Sequence, residues 1–316
     1  MSKLHDLRRL RPWEMALAAL AVAGPFLLPA VAPQAPAFVR AAVAQDMQSV
    51  DTSRLVSIGG PVTEIIYALG EEKRLVGRDS TSMYPEAALK LPDVGYMRQL
   101  SPEGVIATNP AAIVSIEGSG PPEALAVLKQ SKIAFKEIPE SYDAAGILTK
   151  IKVVGDFLGV PEKAAKLSET VKADLDAAIT DAAKRPEAER KRVLFVLSAQ
   201  GGKIMASGTG TAADGIITLS GAINATGTYQ GYKPLTDEAI IEAKPDVILM
   251  MSRGGGHGIS DAELLAHPAL SLTPAAKDKA VIRMDGLHLL GFGPRTASAV
   301  RELNAAIYGK DKNASE

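Results

Sequence analysis

The sequence contains no cysteine among its 316 residues. Disulfide frameworks, thiolate metal sites and cysteine nucleophiles are therefore excluded. A surplus of positive charge is also missing, because 35 lysines and arginines are balanced by 36 aspartates and glutamates. Proteins that bind nucleic acid usually carry a basic excess. We therefore expect no nucleic-acid partner.

Histidine is scarce, and the motifs of several enzyme classes are missing. The four histidines are His5, His257, His267 and His288, and none is spaced from another as zinc ligands are. The sequence has no G-x-S-x-G turn, no phosphate loop ending in Gly-Lys-Ser or Gly-Lys-Thr, and no H-E-x-x-H. A hydrolase or a haem-degrading enzyme would need a nucleophile with a base, or a redox partner. We find no such set and predict that the chain is not an enzyme.

Only one long apolar run occurs, and it lies near the N-terminus. Basic residues precede the run from Met15 to Val31, and the small residues Ala42-Val43-Ala44 follow it. This order is typical of a signal peptide, here residues 1–44, cleaved before Gln45. No later segment is apolar for long enough to cross a bilayer. We expect a soluble periplasmic protein, with a retained membrane anchor as the alternative.

Beyond residue 50, short apolar runs alternate with helical patterns, which favours an α/β fold. A segment that begins Leu100-Ser101-Pro102-Glu103 is repeated as Leu235-Thr236-Asp237-Glu238, at an offset of 135 residues from Glu103 to Glu238. The repeat indicates two similar Rossmann-like lobes with a ligand cleft between them. We predict an N-terminal lobe at 53–160, a bridging α-helix at 161–186 and a C-terminal lobe at 187–310.

The loop from Leu91 to Leu100 is the most informative stretch. It contains Gly95-Tyr96-Met97-Arg98 just before a predicted helix. If the loop is extended, Tyr96 and Arg98 point to the same side, because side chains two residues apart share a face. A guanidinium favours the phenolate form of a neighbouring phenol, and a tyrosine oxygen is a known axial ligand of haem iron.

Several motifs together resemble those of haemin-binding periplasmic proteins, a branch of the group that also binds ferric siderophores and cobalamin. The resemblance covers essentially the whole chain after the signal segment, and Gly95-Tyr96-x-Arg98 is its most specific part. The matching residues are Gly59, Gly60, Thr63 and Glu64, then Gly77 and Asp79 to Ser82, then Leu91 to Ser101, Gly231 to Pro234, and Gly293 to Arg295.

This resemblance implies a monomeric protein that carries haem to the permease of an ABC importer in the inner membrane. It implies that Tyr96 is the axial ligand of the haem iron and the metal-binding residue, and that Arg98 supports its phenolate. It further implies that Glu103 and Glu238 dock the two lobes on the permease. Taken alone, each glutamate could merely favour the dipole at the start of a helix.

Other cleft residues are predicted with alternatives left open. Some relatives have a histidine just before the Gly-Tyr-Lys-Pro element, whereas this chain has Tyr229 there. Tyr229 is predicted either to approach the other face of the haem or to pack in the wall of the cleft. Tyr232, Lys233, Arg295 and Arg78 are further candidates to support haem, the basic residues through its propionates. A ferric siderophore or cobalamin is the alternative ligand, although the only tryptophan, Trp13, lies in the signal segment.

Overall fold

The computed structural model describes residues 50–252 and 259–309. The predicted signal peptide at 1–44 lies outside the described residues, as does His257. The described chain belongs to one compact unit, Ser49–Glu316. Among the residues that the structure describes, no helix is both long enough and apolar enough to span a membrane.

The N-terminal lobe is a parallel sheet with the strand order β2-β1-β3-β4. The central strands β1 and β3 are buried along their whole length, as strands covered on both faces must be. The elements of this lobe are, in chain order, β1 (Leu55–Ile58), α1 (Gly60–Ala68), β2 (Leu75–Arg78), α2 (Pro102–Ile106), β3 (Ala112–Ile116), α3 (Pro122–Gln130) and β4 (Ala134–Ile138).

Two helices then lead to the second lobe. Helix α4 (Ala144–Phe157) ends before Gly159, whose positive φ of 71° turns the chain into the long helix α5 (Pro161–Ala183). The two helices cross closely at Gly155, where an added Cβ would lie 2.2 Å from the Cβ of Ala164. Helix α5 is the predicted bridge, and it ends three residues before the predicted boundary at 186.

The C-terminal lobe has strand order β10-β9-β5-β6-β8, with β7 paired to β5. Its elements are β5 (Arg192–Gln200), β6 (Lys203–Ser207), α6 (Ala212–Leu219), β7 (Ile223–Asn224), β8 (Tyr232–Leu235), α7 (Asp237–Ala243), β9 (Val247–Ser252), α8 (Asp261–Leu265), α9 (Pro274–Lys277), β10 (Val281–Asp285), α10 (Gly286–Leu290) and α11 (Thr296–Tyr308). Part of this lobe departs from the parallel arrangement of the first lobe, because β6 pairs antiparallel with both β5 and β8. The hairpin turns at Gly201-Gly202, which both have positive φ.

The internal repeat is present in three dimensions. Ser101 and Thr236 cap α2 and α7 by accepting hydrogen bonds from the backbone N–H three residues later. Each helix is followed by a residue with positive φ, Asn109 at 51° and Lys244 at 44°, and then by a parallel strand that pairs with the first strand of its lobe. The repeat therefore marks equivalent positions in the two lobes.

One hydrophobic core runs through both lobes on the side of α5. It joins residues of the first lobe, such as Ile66, to residues of the second, such as Phe195 and Val300. Two smaller clusters lie in the separate lobes, around Val105 in the first and Ile248 in the second. The shared core fixes the lobes to each other, so the loops at the carboxyl ends of their strands face one another across a cleft.

Candidate functional site

A buried polar network anchors the loop that carries Tyr96. The carboxylate of Asp79 is fully buried and accepts hydrogen bonds from the backbone N–H groups of Gly59 and Thr81 and from the hydroxyls of Thr81 and Ser82. The Ser82 hydroxyl is also bonded to that of Thr63, at 2.6 Å. The motif from Asp79 to Ser82 is thus joined to the motif that contains Gly59 and Thr63. Together they hold the loop after β2 against the start of α1.

Tyr96 lies on a turn rather than in an extended segment. The N–H of Gln99 donates to the carbonyl of Tyr96 at 2.8 Å. The turn is held to a second loop, because Met97 and Leu100 exchange backbone hydrogen bonds with Gly120 at 2.9 Å. The extended geometry from which a shared face of Tyr96 and Arg98 was predicted is therefore absent, and that their side chains act together stays a prediction. Tyr96 is 42% exposed on this turn.

The charge of Arg98 acts on two other tyrosines, one of which lies in the opposite lobe. Burial raises the pKa of Tyr142, which lies between β4 and α4, and the positive charge of Arg98 acts to lower it. Burial likewise raises the pKa of Tyr232 at the start of β8, and the hydroxyls of Thr211 and Ser207 and the charge of Arg98 lower it. The exposed guanidinium of Arg98 therefore influences tyrosines of both lobes. Tyr142 was not predicted as a site residue, since nothing in its local sequence marks it.

Tyr229 and Lys233 form the adjoining part of that wall. The ammonium of Lys233 lies 5.4 Å from the centre of the Tyr229 ring. The ring packs so tightly on Gly208 that an added Cβ there would lie 2.5 Å from Cδ2 and 2.7 Å from Cε2 of the Tyr229 ring. The hydroxyl of Tyr229 is buried and has no hydrogen-bond partner in the described chain. Ligation by Tyr229 stays a prediction, and it would require this buried hydroxyl to reach the ligand.

Arg78 and Arg295, both predicted to support haem, are engaged by carboxylates. The Nη1 of Arg78 bonds the Asp93 carboxylate at 2.8 Å, and the Arg78 side chain is only 10% exposed. Arg295 makes two hydrogen bonds to Glu64, 2.9 Å from Nε and 2.6 Å from Nη2. Burial raises the pKa of Glu64, and the guanidinium acts to lower it. This ion pair joins α1 of the first lobe to the loop before α11 of the second.

A pocket of about 350 Å³ adjoins this ion pair at the junction of the lobes. The guanidinium of Arg295 stacks over the ring of Tyr84, 3.6 Å from its centre. The Nη1 of Arg295 lies 3.2 Å from Nδ1 of His288, and the Nε2 of His288 lies 3.2 Å from Glu302. The pocket is lined by Met83, Tyr84, Asp285, Leu287, His288, Arg295 and Glu302. Every polar group of Arg295 already has a partner here.

A buried ion pair lies beneath the cleft, next to Tyr142. The ammonium of Lys150 is fully buried and binds the carboxylate of Glu140, whose side chain is 14% exposed. Burial lowers the pKa of Lys150 and raises the pKa of Glu140. The ammonium also lies 5.9 Å from the ring centre of Phe292, which packs edge-to-face on Tyr142. Residues of both lobes thus support the floor of the cleft.

Glu103 and Glu238 occupy matching exposed positions in the two lobes. Each lies in the first turn of its helix, and its pKa is lowered by its own backbone N–H and by the capping hydroxyl, of Ser101 or Thr236 respectively. Both carboxylates are therefore ionised at neutral pH and accessible from outside. Across 50–252 and 259–309, the structure has no group of three or more histidine, aspartate or glutamate side chains arranged to hold a metal ion.

The chain is similar to solved structures of periplasmic proteins. It is 38% identical to the periplasmic heme-binding protein BhuT in complex with two hemes, and the similarity covers 80% of this chain and 97% of that one with a TM-score of 0.76. It is 36% identical to the periplasmic heme-binding protein RhuT from Roseiflexus sp. RS-1, covering 81% and 98% with a TM-score of 0.77.

Curated relatives are more distant. The uncharacterized ABC transporter substrate-binding lipoprotein YvrC of Bacillus subtilis (strain 168) is 26% identical over 82% of this chain and 81% of its own length. The vitamin B12-binding protein of Vibrio parahaemolyticus is 26% identical over 81% of this chain and 90% of its own. The family described as periplasmic binding protein matches residues 55–286. These residues include both sheets and the bridging helix, and the chain therefore belongs to the periplasmic binding protein family.

Proposed function

We propose that this protein captures haem in the periplasm and delivers it to the permease of an ABC importer. The observation that carries the proposal is the exposed phenol of Tyr96 on a turn held by Gly120. A phenolate is an anionic oxygen ligand that suits ferric haem iron. The turn is rigid, so the ligand is oriented before haem arrives.

The opposite wall of the cleft complements a planar, dianionic ligand. Tyr232 and Tyr229 offer aromatic surface, and the charges of Arg98 and Lys233 lie beside these rings. Aromatic faces pack against a flat macrocycle, and the cations complement its propionates. Two solved structures that share more than a third of their residues with this chain are of proteins named as heme-binding.

A haemin titration followed by visible absorption tests the proposal. We expect saturable binding with a ferric phenolate charge-transfer band. Tyr96→Ala should lose the band and weaken binding by roughly 100-fold or more, because removing even an outer-shell partner of a metal ligand costs about 10–100-fold. Arg98→Met should weaken it by about 10–100-fold. Tyr67→Phe, on α1 away from the loop, is the control and should bind haemin like the wild type.

A corrinoid or a ferric siderophore is the second candidate, favoured by the relative named as a vitamin B12-binding protein. The same titrations with cyanocobalamin and with a ferric hydroxamate siderophore distinguish the candidates. Tight binding of either one, together with haemin binding that Tyr96→Ala leaves unchanged, would contradict the haem proposal.

A further inference from the structure

The repeat places an exposed isoleucine beside each of the two matching glutamates. Ile106 ends α2, three residues after Glu103, and is 41% exposed. Ile241 lies in α7, three residues after Glu238, and is 40% exposed. Residues three apart on a helix lie on the same face, so each lobe presents one carboxylate and one branched apolar side chain together. We call these the paired Glu–Ile patches.

The fold holds the two patches in equivalent settings. Behind each isoleucine, the preceding residue (Val105 or Ile240) is fully buried, so the helix cannot rotate to hide the isoleucine. Each helix end is also fixed by an arginine at the beginning of the first strand of its lobe, Arg54 just before β1 and Arg192 as the first residue of β5. Arg54 donates to the carbonyl of Thr108, and Arg192 donates to that of Ala243, both at 2.8 Å.

From these observations we infer that Ile106 and Ile241 are apolar anchors that dock on a partner presenting the same surface twice, related by a two-fold axis. Each copy of that surface combines a cation for the glutamate with an apolar pocket for the isoleucine. A single exposed isoleucine is common on a protein surface. Here two exposed isoleucines occupy equivalent positions of a repeat, each beside an ionised carboxylate, and this arrangement matches a partner with two-fold symmetry. The inference rests on the proposed delivery to a permease, and it assigns the residues that supply the apolar part of the contact.

The test measures binding of haem-loaded protein to the cognate permease–ATPase complex in nanodiscs. Burying one isoleucine corresponds to about tenfold or more in affinity. We therefore expect Ile106→Ser and Ile241→Ser to weaken binding about tenfold each. The double variant should lose roughly 100-fold, because the patches are independent. Val127→Ser, which changes an apolar side chain that is 51% exposed on α3, is the matched control and should bind like the wild type.

The glutamate variants separate this inference from the proposed function. Glu103→Gln with Glu238→Gln should weaken binding mainly at low salt, whereas the isoleucine effect should persist at high salt. If the serine variants bind like the wild type while the glutamine variants do not, the anchors are refuted and the docking stands. If only one isoleucine matters, the two-fold partner is refuted. If all variants bind the permease complex like the wild type, docking does not use the paired Glu–Ile patches and the inference is refuted, whereas haemin binding, read separately by absorption, still decides the cargo.

Discussion

The ion pair between Glu64 and Arg295 makes a quantitative prediction about how the two lobes are held together. In Arg295→Met the apolar stem remains and the guanidinium is lost, which leaves the carboxylate of Glu64, only 5% exposed, without a counter-charge. Breaking a buried pair on one side costs about 3–5 kcal/mol. Since the Arg295 side chain is 27% exposed, solvent screens the pair in part, and we expect the lower end, about 3 kcal/mol near neutral pH.

The cost should depend on pH with a definite sign. Burial already raises the pKa of Glu64 above its ordinary value of 4.5, and Arg295 opposes this rise. Without Arg295 the pKa of Glu64 in the folded protein rises further. A group with a raised pKa in the folded state contributes stability below its unfolded pKa and loses it as pH increases through the folded pKa. The deficit of Arg295→Met relative to the wild type should therefore grow as the pH rises through the folded-state pKa of Glu64 in the wild type, which lies above 4.5, by about 1.4 kcal/mol for each unit by which the substitution raises that pKa further.

Urea unfolding of the wild type and of Arg295→Met at about pH 5 and about pH 8 measures the loss of unfolding free energy and the direction in which this loss changes with pH. Arg301→Met is the matched control, because Arg301 lies on α11 and pairs with Asp174 while the two side chains are 44% and 52% exposed. That surface pair should be worth less than about 1 kcal/mol at either pH. A deficit for Arg295→Met no larger than that of the control, or one that grows as the pH falls, would refute the reasoning.

Two further predictions concern the floor of the cleft. Lys150→Met should destabilise the protein by about 3 kcal/mol, because it leaves Glu140 unpaired, whereas the double variant with Glu140→Gln should recover to within about 1 kcal/mol of the wild type. Urea unfolding of the wild type, the two single variants and the double variant tests this. A double variant as unstable as Lys150→Met would contradict it. In Gly215→Ala the new Cβ would lie 2.3 Å from the carbonyl oxygen of Tyr142 and 2.9 Å from the Phe292 ring, so we expect a loss of about 1–3 kcal/mol and weaker haemin binding. Gly227→Ala, whose nearest neighbour would be 3.6 Å away, should change neither, and equal effects in the two variants would count against a close approach at Gly215.

Much of the framework could be predicted because it is encoded locally. The caps at Ser101 and Thr236, the prolines that begin α2 and α5, and the mostly apolar strands β1 and β3 are signals within a few residues of the element that they define. The hairpin between β5 and β6 is harder to predict, although Gly201-Gly202 is a turn signal. Its second strand, Lys203–Ser207, begins with only one buried apolar residue in its first three.

The contacts of the predicted site residues could not be derived in the same way, because their partners are distant in the chain. Arg295 is 231 residues from Glu64, so no local pattern indicates that the carboxylate already occupies the guanidinium. Arg78 is likewise already bound to a carboxylate, that of Asp93. The backbones of Arg78 and Asp93 pair in an isolated β-bridge. The fold also lets the charge of Arg98 act on Tyr142 and Tyr232, which are far from it in the sequence.

The motif residues therefore divide into two groups with different physical roles. Asp79, Ser82 and Glu64 are buried, and their side chains form hydrogen bonds with other groups of the protein. Their hydrogen bonds fix the loops. Tyr96, Arg98 and Lys233 are instead exposed. The chain is similar both to a protein named for heme and to one named for vitamin B12, so overall similarity does not choose between these ligands. Under the proposed haem function the exposed group makes the choice, and the variants of Tyr96 and Arg98 test it.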